Sequence, residues 1–461
     1  MARKRVSRTA QDSMGSVRVP AGALYGASTQ RAVENFPVSG RRFPRPFIRA
    51  LGQIKMSAAK AGLRLGCLPS AIAKPVARAA AEVRDGRWDG QFVVDIFQTG
   101  SGTSTNMNAN EVIANLANRY AGKGRRVRIH PNDHVNCCQS SNDVIPSAIH
   151  ISVLLELRDA LLPELRKLQY DLRAKAVSFR NITKIGRTHL QDATPMTLGQ
   201  EFSGYSEQVR KAAARIESVF GRLRELPLGG TAVGTGINAC PRFAREAIRD
   251  INHATGESFA EAKNHFEAQA SKDTCVEVSG QLKAFAVTLT KIANDIRWLG
   301  SGPRGGLAEI RLPEVQPGSS IMPGKVNPVI CEAVLQAAAE VIGSDTVVTY
   351  AAQSGNFELN TMMPLIAHHL LESIRLLAAA AKILTARCIL GIRADRVRCQ
   401  SLVEQSLMLA TPLAKVIGYD AAARIAKEAY AKGETIREVL RRKKILPERK
   451  IAEILDVSKM L

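Results

Sequence analysis

No stretch of the chain approaches the roughly 20 consecutive apolar residues that a membrane-spanning helix needs. The basic first ten residues have no apolar run behind them, which reads as a solvated start rather than a secretory signal and predicts a cytoplasmic protein. Aromatic residues make up only 5%, and no basic run is interleaved with stacking rings, as a single-strand nucleic-acid groove would favour. None of the eight cysteines, Cys67, Cys137, Cys138, Cys240, Cys275, Cys331, Cys388 and Cys399, forms a C-x-x-C pair. That argues against a zinc site, an iron–sulfur cluster and a disulfide framework, and predicts reduced, mostly buried thiols. Repeats of solenoid period and low-complexity tails are absent.

What is present is a chain of 461 residues with 45% hydrophobic and 23% charged residues, a mix for a large globular core. Lysine and arginine outnumber aspartate and glutamate by 64 to 42, a formal charge of +22. The basic residues are spread along the chain. They read as a solvated surface and a field that draws a small anionic substrate, in preference to a basic scaffold or nucleic-acid binder.

The apolar pattern is helical over about 46–85, with a break near Cys67-Leu68-Pro69, and again over Asn106–Tyr120. Long stretches with three- and four-residue spacing follow at Pro146–Asn181, Leu198–Leu226, Glu261–Leu299, Pro328–Ala352 and Met363–Leu390. Helices of this length predict a mainly α protein built on a helical bundle. Residues 394–461 alternate short helical patterns with turns and read as a small separate domain.

Chemistry concentrates in the polar segments between helices. In Gly318–Pro328, Ser319 and Ser320 lie near Lys325 and Asn327 in a Gly- and Pro-rich stretch. Asn327 as helix N-cap with Pro328 at the first helical position accounts for part of this, but not for a lysine beside paired serines. A serine can act as a base if backbone N–H groups and an ammonium stabilise its oxyanion. In Gly186–Pro195, His189 follows Thr188 in a polar loop and suits proton transfer. Thr99–Asn108 sets hydroxyls and glycines ahead of a helix, either an ordinary cap or an anion site. His130–Asn136 and Gln139–Asp143 form a dense hydrogen-bonding loop; His130, His134 and Asp133 lack the further ligand that would complete a metal site. Gly234-Thr-Gly236-Ile-Asn-Ala239 fits a dinucleotide fingerprint, but Pro227, Gly229-Gly230 and Pro241 spoil the strand and helix it requires.

At these residues the chain resembles the aspartase/fumarase superfamily. Gly318-Ser-Ser-Ile-Met-Pro-Gly-Lys-Val-Asn-Pro328 is similar, residue for residue, to its G-S-S-x-M-P-x-K-x-N-P signature. The likeness runs from Asp12-Ser-Met-Gly15 and Leu24-Tyr-Gly-Ala27 to the C-terminal region. Thr188-His189, Gly324 and Gly355-Asn-Phe-Glu-Leu-Asn360 resemble class II fumarases. Cys137-Cys138 depart from the pattern, and Ala351-Ala352 and Val341–Thr346 lean toward aspartases, which keeps an aspartate ammonia-lyase as the alternative.

The resemblance implies an all-α fold of three domains, at 1–142, 143–393 and 394–461. It implies a homotetramer with a twenty-helix core whose active sites are each shared among three chains. The implied reaction is reversible hydration of fumarate to L-malate, a step of the tricarboxylic acid cycle, without cofactor, metal, nucleic acid or membrane. Ser319, His189 and Glu332 are the implied catalytic residues. Ser101, Gly102, Thr103, Ser140, Ser141, Asn142, Thr188, Ser320, Lys325, Val326 and Asn327 are the implied substrate-binding set, and His130, Pro131, Asn132 and Asp133 a second dicarboxylate site.

Overall fold

The computed structural model describes residues 7–121, 128–318 and 320–460. The protein is mainly α, as its periodicity predicts. Its described strands are short and pair two by two. No described helix is long and apolar enough to cross a membrane. The chain divides into two compact units, one of residues 1–163, 214–284 and 339–377, the other of 164–213, 285–338 and 378–461.

The first unit opens on a hairpin, Ser7–Asp12 against Gly15–Pro20, with Asp12 opposite Gly15. Asp12 accepts from the Met14 N–H at 2.9 Å and from Arg31 at 2.8 Å, so Asp12–Gly15 is a pinned turn. The helix Ala27–Asn35 has no capping side chain of its own. Glu111 supplies one from the helix Thr103–Ala121, accepting from the N–H groups of Gly26, Ser28 and Thr29 at 2.7–3.1 Å. A Cβ on Gly26 would lie 2.7 Å from that carboxylate. Helices Arg45–Arg64 and Ser70–Arg84 confirm the expected break between them. They approach so closely at Gly52 that a Cβ there would lie 2.5 Å from the Arg84 nitrogen. Phe47, Leu51, Ile54, Val76, Val112, Leu116 and Ile149 fill the core between these elements.

Polar groups are buried beside that core. Lys55 donates to Asn136 Oδ1 at 2.9 Å, and Asn106 and Asn110 donate to the same oxygen. Asp143, fully buried, accepts from the backbone of Ser140 at 2.9 Å, Gly229 at 2.9 Å and Thr231 at 3.1 Å. Burial pushes its carboxyl up to about 6, against the pull of these three amides and of Lys55. Burial also brings the Lys55 ammonium down to about 7, with Asp143 opposing.

Two long elements differ from the periodic pattern. Ser141–Glu156 runs through a wide π turn at Leu157–Leu161 into Leu162–Ser178. The extra residue falls just before Pro163, which has no N–H to give a regular turn. The stretch expected as one helix from Glu261 is instead a short helix His265–Ala270, capped by Asn264, followed by Asp273–Leu299. The Asn264 side chain accepts from the Glu267 N–H and wins locally over the apolar spacing.

In the second unit the hairpin Thr183–Thr188/Gln191–Thr197 stands on buried charge. Lys184 meets Glu201 at 2.9 Å and Glu309 at 3.4 Å, and Arg187 holds Glu309 with two bonds of 2.8 and 3.1 Å. The tail helices, from Arg396–Gln405 to Glu448–Ile454, close a separate core in which Leu413, Ile425, Val439, Leu440 and Ile451 pack with Ile185 of the hairpin.

Six cysteines are free thiols, as expected. Cys67 and Cys240, however, are joined in a disulfide across 173 residues. This corrects the reading of all eight as reduced: only the folded chain brings two loops so distant in sequence together.

Two stability predictions follow from the buried charges. Glu309→Ala strips the carboxylate from Lys184 and Arg187 and should cost about 3–5 kcal/mol in denaturant unfolding; a loss under about 1 kcal/mol would show the network to be dispensable. The Asp143 carboxyl is raised from 3.8 to about 6. Its stabilising proton is therefore fully bound below about pH 4 and lost as pH rises through about 6. Wild type should thus lose up to roughly 3 kcal/mol relative to Asp143→Asn across that window. Parallel stability curves for the two proteins would refute the assignment.

Candidate active site

The hydroxyl-rich segments read from the sequence converge in the first unit. Gln98 caps the helix Thr103–Ala121, accepting from the Thr105 N–H and hydroxyl, each at 2.9 Å. Ser140 caps Ser141–Glu156 in a capping box with Asp143. The two helix starts meet through side chains: Ser101 Oγ lies 2.7 Å from Thr103 Oγ1, and Thr103 Oγ1 lies 2.7 Å from Ser141 Oγ. Two helix N-termini thus meet beside a chain of hydroxyls, an arrangement that favours an anion.

The cradle is held from three directions. Gly102 has φ +75° and a Cβ there would sit 2.9 Å from Ile145, so the turn into the helix requires glycine. The Gly100 carbonyl accepts from the Met363 N–H at 3.0 Å, and a Cβ on Gly100 would strike the Thr361 carbonyl. The short hairpin Gly355–Asn356/Leu359–Asn360 leads into that contact, and the Asn360 amide caps the carbonyls of Ala351 and Ala352 at 2.9 and 3.0 Å. Asn142 donates to the Ala232 carbonyl at 2.8 Å. Gly229, Gly230 and Ala232 therefore belong to a loop wrapped on Asp143 and Asn142, and the nearby fingerprint-like glycines head no dinucleotide fold.

His130, Pro131, Asn132 and Asp133 form a separate turn of the same unit. Pro131–Val135 is one short helical turn with His130 at its N-cap, accepting from the Asp133 N–H at 3.3 Å. Asn118 braces Ile129 with two bonds of 2.8 and 2.9 Å. The side chains of His130 and Asp133 are 3.2 Å apart and mostly exposed. A cleft of about 320 Å³, lined among others by Arg49, Gln53, Arg84 and Asp85, lies elsewhere in this unit and contains none of the motif residues.

In the second unit, the loop expected around His189 is a β-hairpin. Thr188 pairs with Gln191, leaving His189 and Leu190 as a two-residue turn with φ of 57° and 59°. Both positions favour glycine or asparagine, so a histidine held there marks function more than local preference. Thr188 and His189 are exposed. Gly186 lets the strands close, since a Cβ there would lie 2.7 Å from the Thr194 carbonyl. Among the described residues no ion pair joins His189 to Glu332 within the chain, so the expected pairing is not made there.

Ser319 lies outside the described residues. Around it, Gly318 and Asn327 close the loop: the Asn327 amide donates to the Gly318 carbonyl, and a Cβ on Gly318 would strike the Lys325 carbonyl. Asn327 is therefore not the helix cap. The helix begins at Val329, and the Pro328 carbonyl accepts its first bond, from the Glu332 N–H at 3.1 Å. Ser320, Lys325 and Val326 are exposed; Glu332 is half-buried in the first turn.

Lys55 and Asn136 were not legible as supports of this site. The run Gly52–Gly62 holds two lysines among mostly small and apolar residues, and nothing in the sequence separates the buried Lys55 from the exposed Lys60.

The chain matches a lyase family model over residues 15–343 and a fumarase C C-terminus model over residues 409–461. It is 52% identical over 449 residues to a class II fumarate hydratase of Xylella fastidiosa, covering 97% of this chain and 94% of that one. It is 50% identical over 450 residues to a class II fumarate hydratase of Mycobacterium tuberculosis, with the same shares of the two chains covered. The crystal structure of class II fumarase from Schistosoma mansoni superposes with a TM-score of 0.94 at 38% identity, covering 99% of each chain. A lyase match over most of its length, a fumarase-type C-terminal segment and a shared fold across the full chain place this protein in the class II fumarate hydratase family.

Proposed function

We propose that the protein catalyses the reversible hydration of fumarate to L-malate, as a cytoplasmic homotetramer whose active sites are each shared among three chains. The observation that carries the chemistry is the meeting of two helix N-termini through Ser101, Thr103 and Ser141. Such a cradle suits a carboxylate, and the field of a chain with net charge +22 draws a dianion toward it. The 1–142, 143–393 and 394–461 division and a twenty-helix core belong to this reading.

In the malate-to-fumarate direction, Ser319 takes the C3 proton. The electron pair moves into the neighbouring carboxylate, giving an aci-carboxylate whose added charge needs preorganised donors. Lys325 and Asn327, with Ser320 and Val326, hold one carboxylate. Ser101, Gly102 and Thr103 hold the other end, and Ser140, Ser141, Asn142 and Thr188 complete the pocket. The pair then returns to form the double bond as hydroxide leaves C2. His189, acting through a bound water, protonates that hydroxide, so one water is released for each fumarate formed. The substrate's own carboxylate is the electron sink, so the reading includes no cofactor.

An exposed histidine at the tip of a rigidly based hairpin suits delivery to a neighbouring copy of the chain. Glu332 then meets His189 between subunits and orients it. His130, Pro131, Asn132 and Asp133 serve as a second, surface dicarboxylate site.

Assayed side by side with malate, fumarate and aspartate, the enzyme should turn over the first two; turnover of aspartate alone would instead establish an ammonia-lyase. Ser319→Ala should nearly abolish turnover while substrate still binds, and an unchanged kcat would remove Ser319 as the base. His189→Asn should lower kcat by roughly 10²–10⁴-fold, the usual scale of general acid–base help. A change confined to KM would make His189 a binding residue.

A further inference from the structure

Three loops of the first unit bring the sulfur atoms of Cys67, Cys138 and Cys240 within 4.8 Å of one another. Cys67 and Cys240 are bonded, and Cys138 is a free, buried thiol. The Cys240 N–H donates to Cys138 Sγ at 3.3 Å, which aligns Cys138 with that end of the disulfide. Cys138 is held at φ 61°, a left-handed conformation unusual for a residue with a Cβ. It stands directly ahead of Gln139 and the Ser140 cap, so its sulfur and the anion cradle share one short segment.

We propose that Cys67, Cys138 and Cys240 form an internal thiol–disulfide exchange site, in which Cys138 displaces Cys67 from Cys240 and the bonded pair sets the position of the Gln139–Asn142 cradle. The Cys138 thiolate donates its electron pair to Cys240 Sγ. The Cys138–Cys240 bond forms as the Cys67–Cys240 bond breaks, and Cys67 leaves as a thiolate that takes up a proton from water. The number of disulfides is unchanged, so no oxidant or reductant is consumed.

The surroundings favour the attacking form. A hydrogen bond from Cys137, 3.8 Å away, lowers the Cys138 thiol to about 6, helped by the Cys240 amide and opposed by burial and by Asp143. Cys67 and Cys240 are both partly exposed; the Cys240 amide bonded to Cys138 Sγ directs the attack to Cys240 and so makes Cys67 the leaving sulfur. Formation of the new bond draws the Cys138 end of the segment toward the Cys240 loop. Ser140 and Asn142 lie two and four residues further on, so the pull acts on the bonds that anchor them to Asp143 and Ala232.

The linkage is read by trapping free thiols with acid and alkylating agent, digesting without reductant, and mapping disulfides by mass spectrometry. Wild-type enzyme held at about pH 8, where the Cys138 thiol, lowered to about 6, is ionised, should contain both Cys67–Cys240 and Cys138–Cys240 bonds; Cys138→Ser should contain only the first. Wild type that holds Cys67–Cys240 alone after a day overturns the exchange. In Cys67→Ser, mild oxidation should form Cys138–Cys240, and kcat/KM for malate should fall roughly tenfold and recover with dithiothreitol, the scale of a sub-ångström misplacement of a binding group. Full activity with that bond in place overturns the link to the cradle. The activity measurement rests on the fumarate hydratase reading, whereas the disulfide map does not, so the two can fail separately.

Discussion

The carboxylate of Asp143 is the constraint on which the anion cradle depends. It accepts the Ser140 N–H, completing the capping box of one helix, and the N–H groups of Gly229 and Thr231 in a loop remote in sequence. That loop returns the Ala232 carbonyl to Asn142. A single buried acceptor therefore fixes the cap, the loop and, through Ala232, the Asn142 side chain. Replacing it by an apolar group would leave buried amides unpaired, which is why a costly buried charge is retained. Lys55 lies close enough to lower the Asp143 carboxyl and is itself fixed to Asn136 at the end of the His130 turn. Both groups titrate nearer neutrality than their ordinary values, each because burial disfavours its charge.

The second unit uses the opposite arrangement. His189 is exposed at a positive φ, and what is buried lies beneath it. Lys184, Arg187, Glu201 and Glu309 form an ionic base under the hairpin, with Lys184 and Glu309 fully buried. Removing one member strands the others without water, so the network resists deformation even where it adds little net stability. A rigid stalk of this kind is needed if a two-residue turn is to hold a histidine at φ 57°. The tail helices pack on Ile185 of the same hairpin, so the C-terminal core and the histidine share one support. The Gly318–Asn327 loop is closed differently, by a side-chain amide on a backbone carbonyl. Such a closure can open without disturbing a core, as suits a segment that carries the proposed base.

The sequence by itself determined the helical class, because apolar residues at three- and four-residue spacing can bury a face only in helices. It also supplied the chemical vocabulary: Ser319, Lys325 and His189 in polar segments between helices, and the hydroxyls of Thr99–Asn108 ahead of a helix. Local signals gave Gln139–Asp143 as a dense hydrogen-bonding loop, in which the structure forms the Ser140–Asp143 capping box. They misled where a local cap competed with spacing, as at Asn264, and where a side chain turned to a partner several residues back, as Asn327 does toward Gly318. Tertiary structure alone decided that Asp143 serves a loop 86 residues away, that Glu111 caps the helix at Ala27, that His189 tops a hairpin, and that Cys67 meets Cys240 beside Cys138. The physical reason is common to the first, second and fourth. Each depends on the distance between groups far apart in sequence, and that distance is set by how helices pack, which no local pattern of residues encodes.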